Sequence, residues 1–531
     1  MRHAAQSLSL LLCLAASSAR AQSTPPVTPQ EPASSAPTAP APPHAAPTPS
    51  AVPAPPAQPA PPAPVVPPPP PKAALIEFTT LRLMREKGVI SQTEFDSAMK
   101  ELGQSVGARG GDSLTFVAGK WATTLYGFVQ ADVIYHSTQS FNEYAGNLPV
   151  ARPGTPAGDQ SRTQFSARDS RFGFRLQAPE LRWLRASALL EMDFLGPSGT
   201  IGTTTTEASF FNNPVLRFRH AYFKLETPIV DILFGQTWHL FGFQPMYVPA
   251  DVQWSGVVGS LFSRTMQLRI SKTIKTRYLD LDLAIAGMRP PQRDSSTPEF
   301  EGGVRLSIPR WTGVHTLYMT STQAVPASVA VSGDIRRFSM PQFSATPAGT
   351  TSATSLGIAV DAYLPIIPGT LEHKDNALSV VGEFVDGQSI NDLYVGLSGG
   401  VASPALPGVN GMPGAAFVAN IDAGLAVYDA AGKLRLPHWR AFIVGAEYYL
   451  PHVGGRIGLF ANVARTQLLD AGAYANPTKV RDHELFYNGG IFGDLSRAIR
   501  LGVDYAYFDD QYADGVHAIN HAVQAVGFFF F

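Results

Sequence analysis

HAINHAVQAVGFFFF, residues 517–531, closes the chain, and its side chains alternate in kind. Ile519, His521, Val523, Ala525, Gly527, Phe529 and Phe531 make one set; Asn520, Ala522, Gln524, Val526, Phe528 and Phe530 make the other. A period of two marks a β-strand whose two faces meet different surroundings. Four consecutive phenylalanines at the end of a soluble sandwich would be an aggregation hazard. In a membrane β-barrel they are not, because closure pairs the last strand with the first and turns its outer face to lipid. A buried C-terminal strand of a soluble β-protein is the competing reading.

The same pattern recurs upstream. Leu125, Gly127, Val129, Ala131 and Val133 alternate with Tyr126, Phe128, Gln130 and Asp132. Phe172, Phe174 and Leu176 oppose Arg171, Gly173, Arg175 and Gln177. Leu184 to Phe194 alternate with Arg185, Ser187, Glu191 and Asp193, and Leu216, Phe218 and Tyr222 with Arg217 and Arg219, which leaves His220 on the apolar parity. Leu279 to Ile285 oppose Asp280 and Asp282, and Ile499 to Tyr505 oppose Arg500 and Asp504. A sandwich would divide such strands between two sheets around a shared core. Here an apolar face repeats over more than a dozen strands, the other face carries acids and arginines, and Trp183, Trp238, Trp439, Tyr448, Tyr505 and Tyr507 near strand ends suit interfacial girdles.

About seventeen segments alternate, but a bacterial barrel with both ends periplasmic needs an even number. Counting back from Phe531, Asp494–Arg497 and Leu450–Gly454 are short periplasmic turns, so the segment ending at Tyr449 runs down and its upward partner falls at Leu378–Phe384. The segment around Ile421–Val427 then becomes external loop, and the reading is an all-β, antiparallel transmembrane barrel of sixteen strands over residues 120–531. Pro179-Glu180, Thr227-Pro228, Lys272–Lys275 and Pro309–Gly313 are further short turns, and a long connection is expected after Ser321. Residues 239–262, HLFGFQPMYVPADVQWSGVVGSLF, are too apolar for an exposed loop and should pack in the barrel interior or on a neighbouring subunit.

Preceding the barrel are three segments. Residues 1–21 read as a secretory signal: Arg2 and His3, an apolar core, and an A-x-A site at Ala19-Arg20-Ala21. The sole cysteine, Cys13, lies inside it, so the mature chain has no disulfide framework or thiolate metal site. Residues 22–72 are nearly all Pro, Ala, Ser and Thr, a linker unable to bury a core and extended at roughly 3.1 Å per residue. Residues 73–106 read as two short helices, the first stopped at Lys87-Gly88 and the second opened by the capping box Ser91–Glu94. Helices this short need support, from self-association or from a periplasmic or peptidoglycan contact.

LYGFVQADVIY (Leu125–Tyr135), DSRFGFRL (Asp169–Leu176), FRHAYFKLETPIVDILFGQTW (Phe218–Trp238) and the terminal Phe531 resemble the DcaP-like trimeric porins of Gram-negative outer membranes. The resemblance implies a homotrimer in the outer-membrane lipid, passive diffusion of small solutes, and a third loop folded inward. Sixteen strands enclose water rather than a side-chain core, and such a pore selects by size and by lining charge. The expected pore lining is a basic strip of Arg171, Arg175, Arg185, Arg217 and Arg219, with Asp132, Glu191 and Asp193 on the wall and Asp251 opposing from the inward loop. That field would favour small anions such as carboxylates; the simpler alternative is that each arginine pairs with a neighbouring acid and stiffens the wall. A formal charge of −1 gives no case for nucleic acid. No clustered ligand spacing suggests a metal, no cofactor is expected, and His220, His239 and His315 lack a nucleophile elbow, so an enzyme is not expected. The alternative function is a barrel-anchored adhesion or cell-wall tether working through the Pro-rich arm.

Overall fold

The computed structural model describes residues 114–531, apart from 197–214, 253–257, 395–400, 410–419 and a few single positions, with scattered residues between 84 and 94. The signal, the linker and the bodies of both helices lie outside the described residues. Two local signals before the barrel are visible. Gly88 takes φ 69° where the first helix should stop, with Val89 N–H donating to the Met84 carbonyl at 2.8 Å. Ser91 and Glu94 form the reciprocal capping contacts, the Ser91 amide to Glu94 at 2.8 Å and the Glu94 amide to Ser91 Oγ at 3.2 Å.

Twenty strands follow: β1 (Leu114–Ala118), β2 (Trp121–His136), β3 (Arg162–Ser166), β4 (Arg171–Gln177), β5 (Arg185–Gly196), β6 (Val215–Glu226), β7 (Asp231–Trp238), β8 (Arg264–Lys275), β9 (Asp280–Met288) and β10 (Glu299–Leu317). Then come β11 (Ser321–Pro341), β12 (Thr350–Ile367), β13 (Leu378–Gln388), β14 (Val427–Tyr428), β15 (Leu434–Arg435), β16 (His438–Tyr449), β17 (Ile457–Leu468), β18 (Arg481–Asp494), β19 (Ile499–Tyr512) and β20 (His517–Phe530). Each barrel strand pairs antiparallel with its sequence neighbour, and β20 closes the sheet on β2. β3 and β4 both pair with β2 and act as one interrupted strand; β14 and β15 form a hairpin within the long β13–β16 connection. The result is a closed barrel of sixteen antiparallel strands, with Ile421–Val427 in that connection as the even count requires.

Closure is local chemistry at the last residue. Phe531 and Gly127 exchange both backbone hydrogen bonds at 3.0 Å, so the terminal phenylalanine finishes the seam. Below it β1 takes over the edge of β2, pairing Leu114–Ala118 with Trp121–Leu125. At Gly127 a Cβ would strike the Arg171 carbonyl and lie 2.8 Å from the Phe531 ring, so this crossing requires glycine.

The outer face is apolar: Val129, Ile285, Leu356 and Phe529 are 54, 63, 61 and 53 % exposed. Their strand neighbours Gln130, Asp361, Asn520 and Gln524 are buried. Polar groups lie inside and apolar groups outside, the inverse of a soluble fold. Among the described residues no helix is long and apolar enough to cross a membrane.

Two segments fill much of the interior. The described residues of the β7–β8 loop, 239–252 and 258–263, turn inward, burying Leu240, Phe241, Tyr247, Val252 and Leu261. Its first amides, Leu240 and Phe241, both donate to Glu301 Oε2 at 2.7 Å, Leu261 N–H donates to Glu383 at 2.9 Å, and Asn462 holds the Ala250 carbonyl at 2.8 Å. The described residues of this loop pack in the barrel interior, one of the two expected places.

The second is the β10–β11 hairpin. The expected turn at Pro309–Gly313 is instead an irregularity between Ile308 and Thr312, after which β10 continues to Leu317. The chain reverses at Tyr318 and Met319, both at positive φ (50° and 53°), with Thr320 N–H donating to the Leu317 carbonyl at 3.0 Å. No long connection follows Ser321, since β11 runs unbroken to Pro341. The hairpin bends into the lumen: Val314, His315, Thr316 and Met319 are at most 2 % exposed. Glu447 of β16 accepts from Thr316 N–H at 2.9 Å, and Arg500 of β19 donates to the Met319 carbonyl at 2.9 Å and to Thr322 at 3.1 Å.

Candidate functional site: an arginine-walled cavity in the lumen

The site lies on the inner face of β2, β4, β5, β6 and β7. Alternation places Tyr126, Arg171, Arg175, Glu191 and Asp193 inward. On β6 the alternation is broken. Glu191 pairs with His220, Met192 with Phe218 and Asp193 with Arg217, so Arg219 is the extra residue of a β-bulge. Arg217 precedes it and His220 follows it, all three on the inner side; Tyr222 also lines the lumen while Phe223 is outside, 45 % exposed. Placing His220 and Tyr222 on the lipid-facing side is therefore incorrect, and the inserted residue is the cause.

Arg219 donates to Glu191 Oε1 at 2.7 Å and to Asp193 Oδ2 at 3.2 Å. Arg217 forms a two-pronged contact with Asp193 at 3.0 and 2.7 Å. Arg171 lies 3.6 Å from Glu191, and Tyr126 donates to the same carboxylate at 2.9 Å. Among the described residues Arg175 makes no ion pair, and it stacks over the Tyr126 ring at 4.1 Å. Arg185 stands apart at the rim, its side chain 64 % exposed, 3.5 Å from Glu226. The expected strip is thus partly paired and partly in surplus.

Of these groups Tyr126, Arg171, Arg175, Glu191 and Arg219 line a cavity of 510 Å³, whose charged lining is thus three arginines and one carboxylate; Arg217, Asp193 and Arg185 lie outside it. Pro245 of the inward loop and the tip of the β10–β11 hairpin from Leu317 to Gln323 form its opposite side. Trp238 is not a girdle residue: it ends β7 turned inward, stacked on Tyr318 (5.9 Å between centroids, 16°), with the Arg264 guanidinium 4.6 Å away. Trp439 is likewise buried inside, beneath Phe241 and Leu261. Trp439 shares the parity of the buried Ala441, Ile443 and Glu447, so alternation on β16 already turns it inward, whereas Trp238 follows the cavity-lining Thr237 and is turned in where the loop begins.

Two of the expected lining acids have other work. Asp132 accepts from Gln130 and Gln524 inside the β2–β20 seam. Asp251 is buried in the inward loop and accepts from Asn488 of β18 at 2.8 Å. Among the described residues His239, Glu299 and Glu301 bring possible ligand atoms within 4.8 Å of one another. Their atoms are engaged: Glu301 binds His239 at 2.7 Å and the two loop amides, and Glu299 binds Arg336 at 3.0 Å. This cluster is the anchor of the loop.

No family model and no curated protein matches the sequence. Among solved structures the chain resembles the outer membrane channel DcaP of Acinetobacter baumannii, with a TM-score of 0.54 at 16 % identity over 77 % of this chain and 97 % of that one. The fold is that of the DcaP channel, a closed barrel of antiparallel strands. More distant likenesses are an anion-selective porin from Comamonas acidovorans (TM-score 0.44, 12 % identity, 77 % of this chain and 100 % of that one) and Pseudomonas putida OprB (0.42, 13 %, 76 % and 94 %).

Proposed function

We propose that the protein is a porin of the Gram-negative outer membrane through which small hydrophilic solutes diffuse passively, with a preference for small organic anions over cations. The observation that carries the preference is the cavity lining: three guanidiniums against one carboxylate, in a lumen narrowed by two inward segments. Field lines from such a surplus concentrate in a narrow aqueous gap and enrich anions there. The DcaP-like fold and the apolar outer belt support the membrane setting. In this reading the rim carrying Phe531 faces the periplasm, the signal is cleaved, three copies assemble as a homotrimer, and residues 73–106 make a periplasmic or peptidoglycan contact.

Reversal potentials across planar bilayers in a salt gradient test it. Anion preference in the parent, lowered in Arg175→Ala and in Arg217→Ala, is the expected result. A channel that prefers cations, unchanged by either substitution, would overturn the anion reading, and a chain that never conducts would favour a tether.

A further inference from the structure

Residues 309–311 leave the strand ladder at the foot of β10. Ile308 pairs with Ala327 and Thr312 with Pro326, so Pro309, Arg310 and Trp311 oppose nothing on β11. Extra residues of this kind re-aim the side chains they carry. The insertion falls where the outward column of β10, Val304, Leu306 and Ile308, comes to its end and the hairpin starts its inward bend. Arg310 and Trp311 are exposed there, and the Trp311 indole N–H donates to the Pro365 carbonyl at 2.8 Å, which fixes the insertion against β12.

The β8–β9 turn supplies the rest of the cluster. Thr276 pins it: its hydroxyl accepts from the Tyr278 and Leu279 amides at 3.3 and 3.0 Å, and its own amide donates to Asp280 at 3.2 Å. Held at the tip, Tyr278 is 65 % exposed, and its ring takes two guanidiniums, Arg277 at 5.3 Å and Arg310 at 5.7 Å from the centroid. Lys272 stands on the outer parity of β8 between Ile270 and Ile274, its ammonium donating to the Pro228 carbonyl. Among the described residues none of these three cations forms an ion pair. The acids next to them in sequence, Asp280 and Asp282, lie on the inner parity of β9, and Asp282 is paired with Arg305 at 2.8 Å. Positive charges gathered round one exposed ring repel each other, and ring contacts offset only part of that. An anion would relieve the rest.

Strand alternation puts the β8–β9 turn and the foot of β10 at the rim that carries Phe531. The outward apolar columns stop there at Ile274 and Ile308, which in a membrane-spanning barrel is the depth of the lipid headgroups. We propose that Arg277, Tyr278, Arg310 and Lys272 form a docking site for an anionic phospholipid of the leaflet at that rim. Its phosphate accepts hydrogen bonds from Arg277 and Arg310, Lys272 adds charge, and an acyl chain lies along Ile274 and Ile308. Charge complementarity selects this occupant. A zwitterionic headgroup brings its own cation to the cluster, and an apolar face of a second copy would bury unpaired charges. The proposal rests on the membrane-barrel reading and is independent of what passes through the lumen.

The test is native mass spectrometry of the purified full chain in detergent, supplied with equal amounts of dioleoylphosphatidylglycerol and dioleoylphosphatidylcholine. The parent should retain the phosphatidylglycerol at least about tenfold better, within the reach of three basic side chains at a lipid surface. Arg277→Gln and Arg310→Gln should each lower that preference about fivefold, and the double variant should abolish it. Both side chains are exposed, so the variants should keep the heat-resistant compact band of a folded barrel. Arg337→Gln removes the same charge from an exposed position near the far end of β11 and should leave the preference unchanged. Equal retention of the two lipids by the parent would overturn the proposal. So would a preference unaltered in the double variant, or one lowered as far by Arg337→Gln. A double variant that keeps the lipid but changes its oligomeric mass would assign the cluster to contact between copies, which also overturns it. None of these readouts involves current, so each would leave the porin reading standing, whereas a folded chain soluble without detergent would remove the membrane barrel first.

Discussion

Arg500→Ala is the substitution that most directly probes the lumen. The Arg500 guanidinium holds Asp494 at 2.6 Å and reaches across to the hairpin, binding the Met319 carbonyl at 2.9 Å and Thr322 at 3.1 Å. Hydrogen bonds from a charged donor contribute about 1.5–3 kcal/mol each. Two are lost, and water reaching the freed groups recovers part, so the attached hairpin should lose about 2–4 kcal/mol. At tenfold per 1.4 kcal/mol, the detached population rises roughly 30- to 1,000-fold. The two positive-φ residues work in the same direction, because Tyr318 and Met319 gain by relaxing once the tip is free. Single-channel traces of Arg500→Ala should therefore show excursions to a second, larger conductance level that the parent lacks. Adding Glu447→Gln, which weakens the Thr316 contact at 2.9 Å, should lengthen them. Folded, barrel-competent protein whose single and double variants give traces superimposable on the parent would refute the reasoning, because the hairpin would then not bound the conducting path.

Other outcomes follow from single contacts. Glu301→Gln should loosen the inward loop by about 2–3 kcal/mol, since its carboxylate serves the amides of Leu240 and Phe241 and the His239 ring; faster amide exchange at 239–245 would register it. Gly303→Leu should displace the same loop from the other side, because even a Cβ there meets the Phe243 ring at 2.6 Å, and current noise should rise. Gly127→Val should block seam closure at the Phe531 pair, seen as loss of the heat-resistant compact band on electrophoresis. Outside the membrane-spanning strands, Arg152 grips Asp514 and holds its carboxyl below the usual range. A depressed carboxyl gives a contact fully present above its unperturbed value of 3.8 and lost as pH falls through the lower folded value, so exchange in residues 150–156 should quicken only in that acid window.

What could be read from the sequence follows from how each feature is encoded. Strand identity and the closure of β20 on β2 are written as alternation, and so was the strand count once parity was imposed on the turns. The inward course of residues 239–263 was half legible, as excess apolar content without a stated destination. The bulge at Arg219 was not legible, because one inserted residue leaves composition untouched while it reverses every later side chain on β6. The turn at Tyr318–Met319 was hidden for a different reason. Pro309–Gly313 carries the residues that turns favour, whereas the real reversal uses two residues that disfavour positive φ. Local preference was overruled there by tertiary contacts with Glu447, Arg500 and Trp238.

These two illegible features meet at one place, and each needs the other. Without the bulge, His220 and Tyr222 would fall on the lipid-facing parity, leaving Arg171 and Arg175 on a sparser wall. Without the hairpin, the same arginines would face a wide aqueous lumen, where solvent screens their charge within about a Debye length of 8–10 Å. The bulge sets the chemistry of the wall, and the hairpin sets the width of the gap over which that chemistry acts. The gap is bounded by residues from β2 to β7 on one side and by Leu317–Gln323 on the other, so the proposed anion preference depends on their separation as much as on the charges. A variant that frees the hairpin should accordingly lose anion preference while it gains conductance, two readouts that move in opposite directions from a single broken contact.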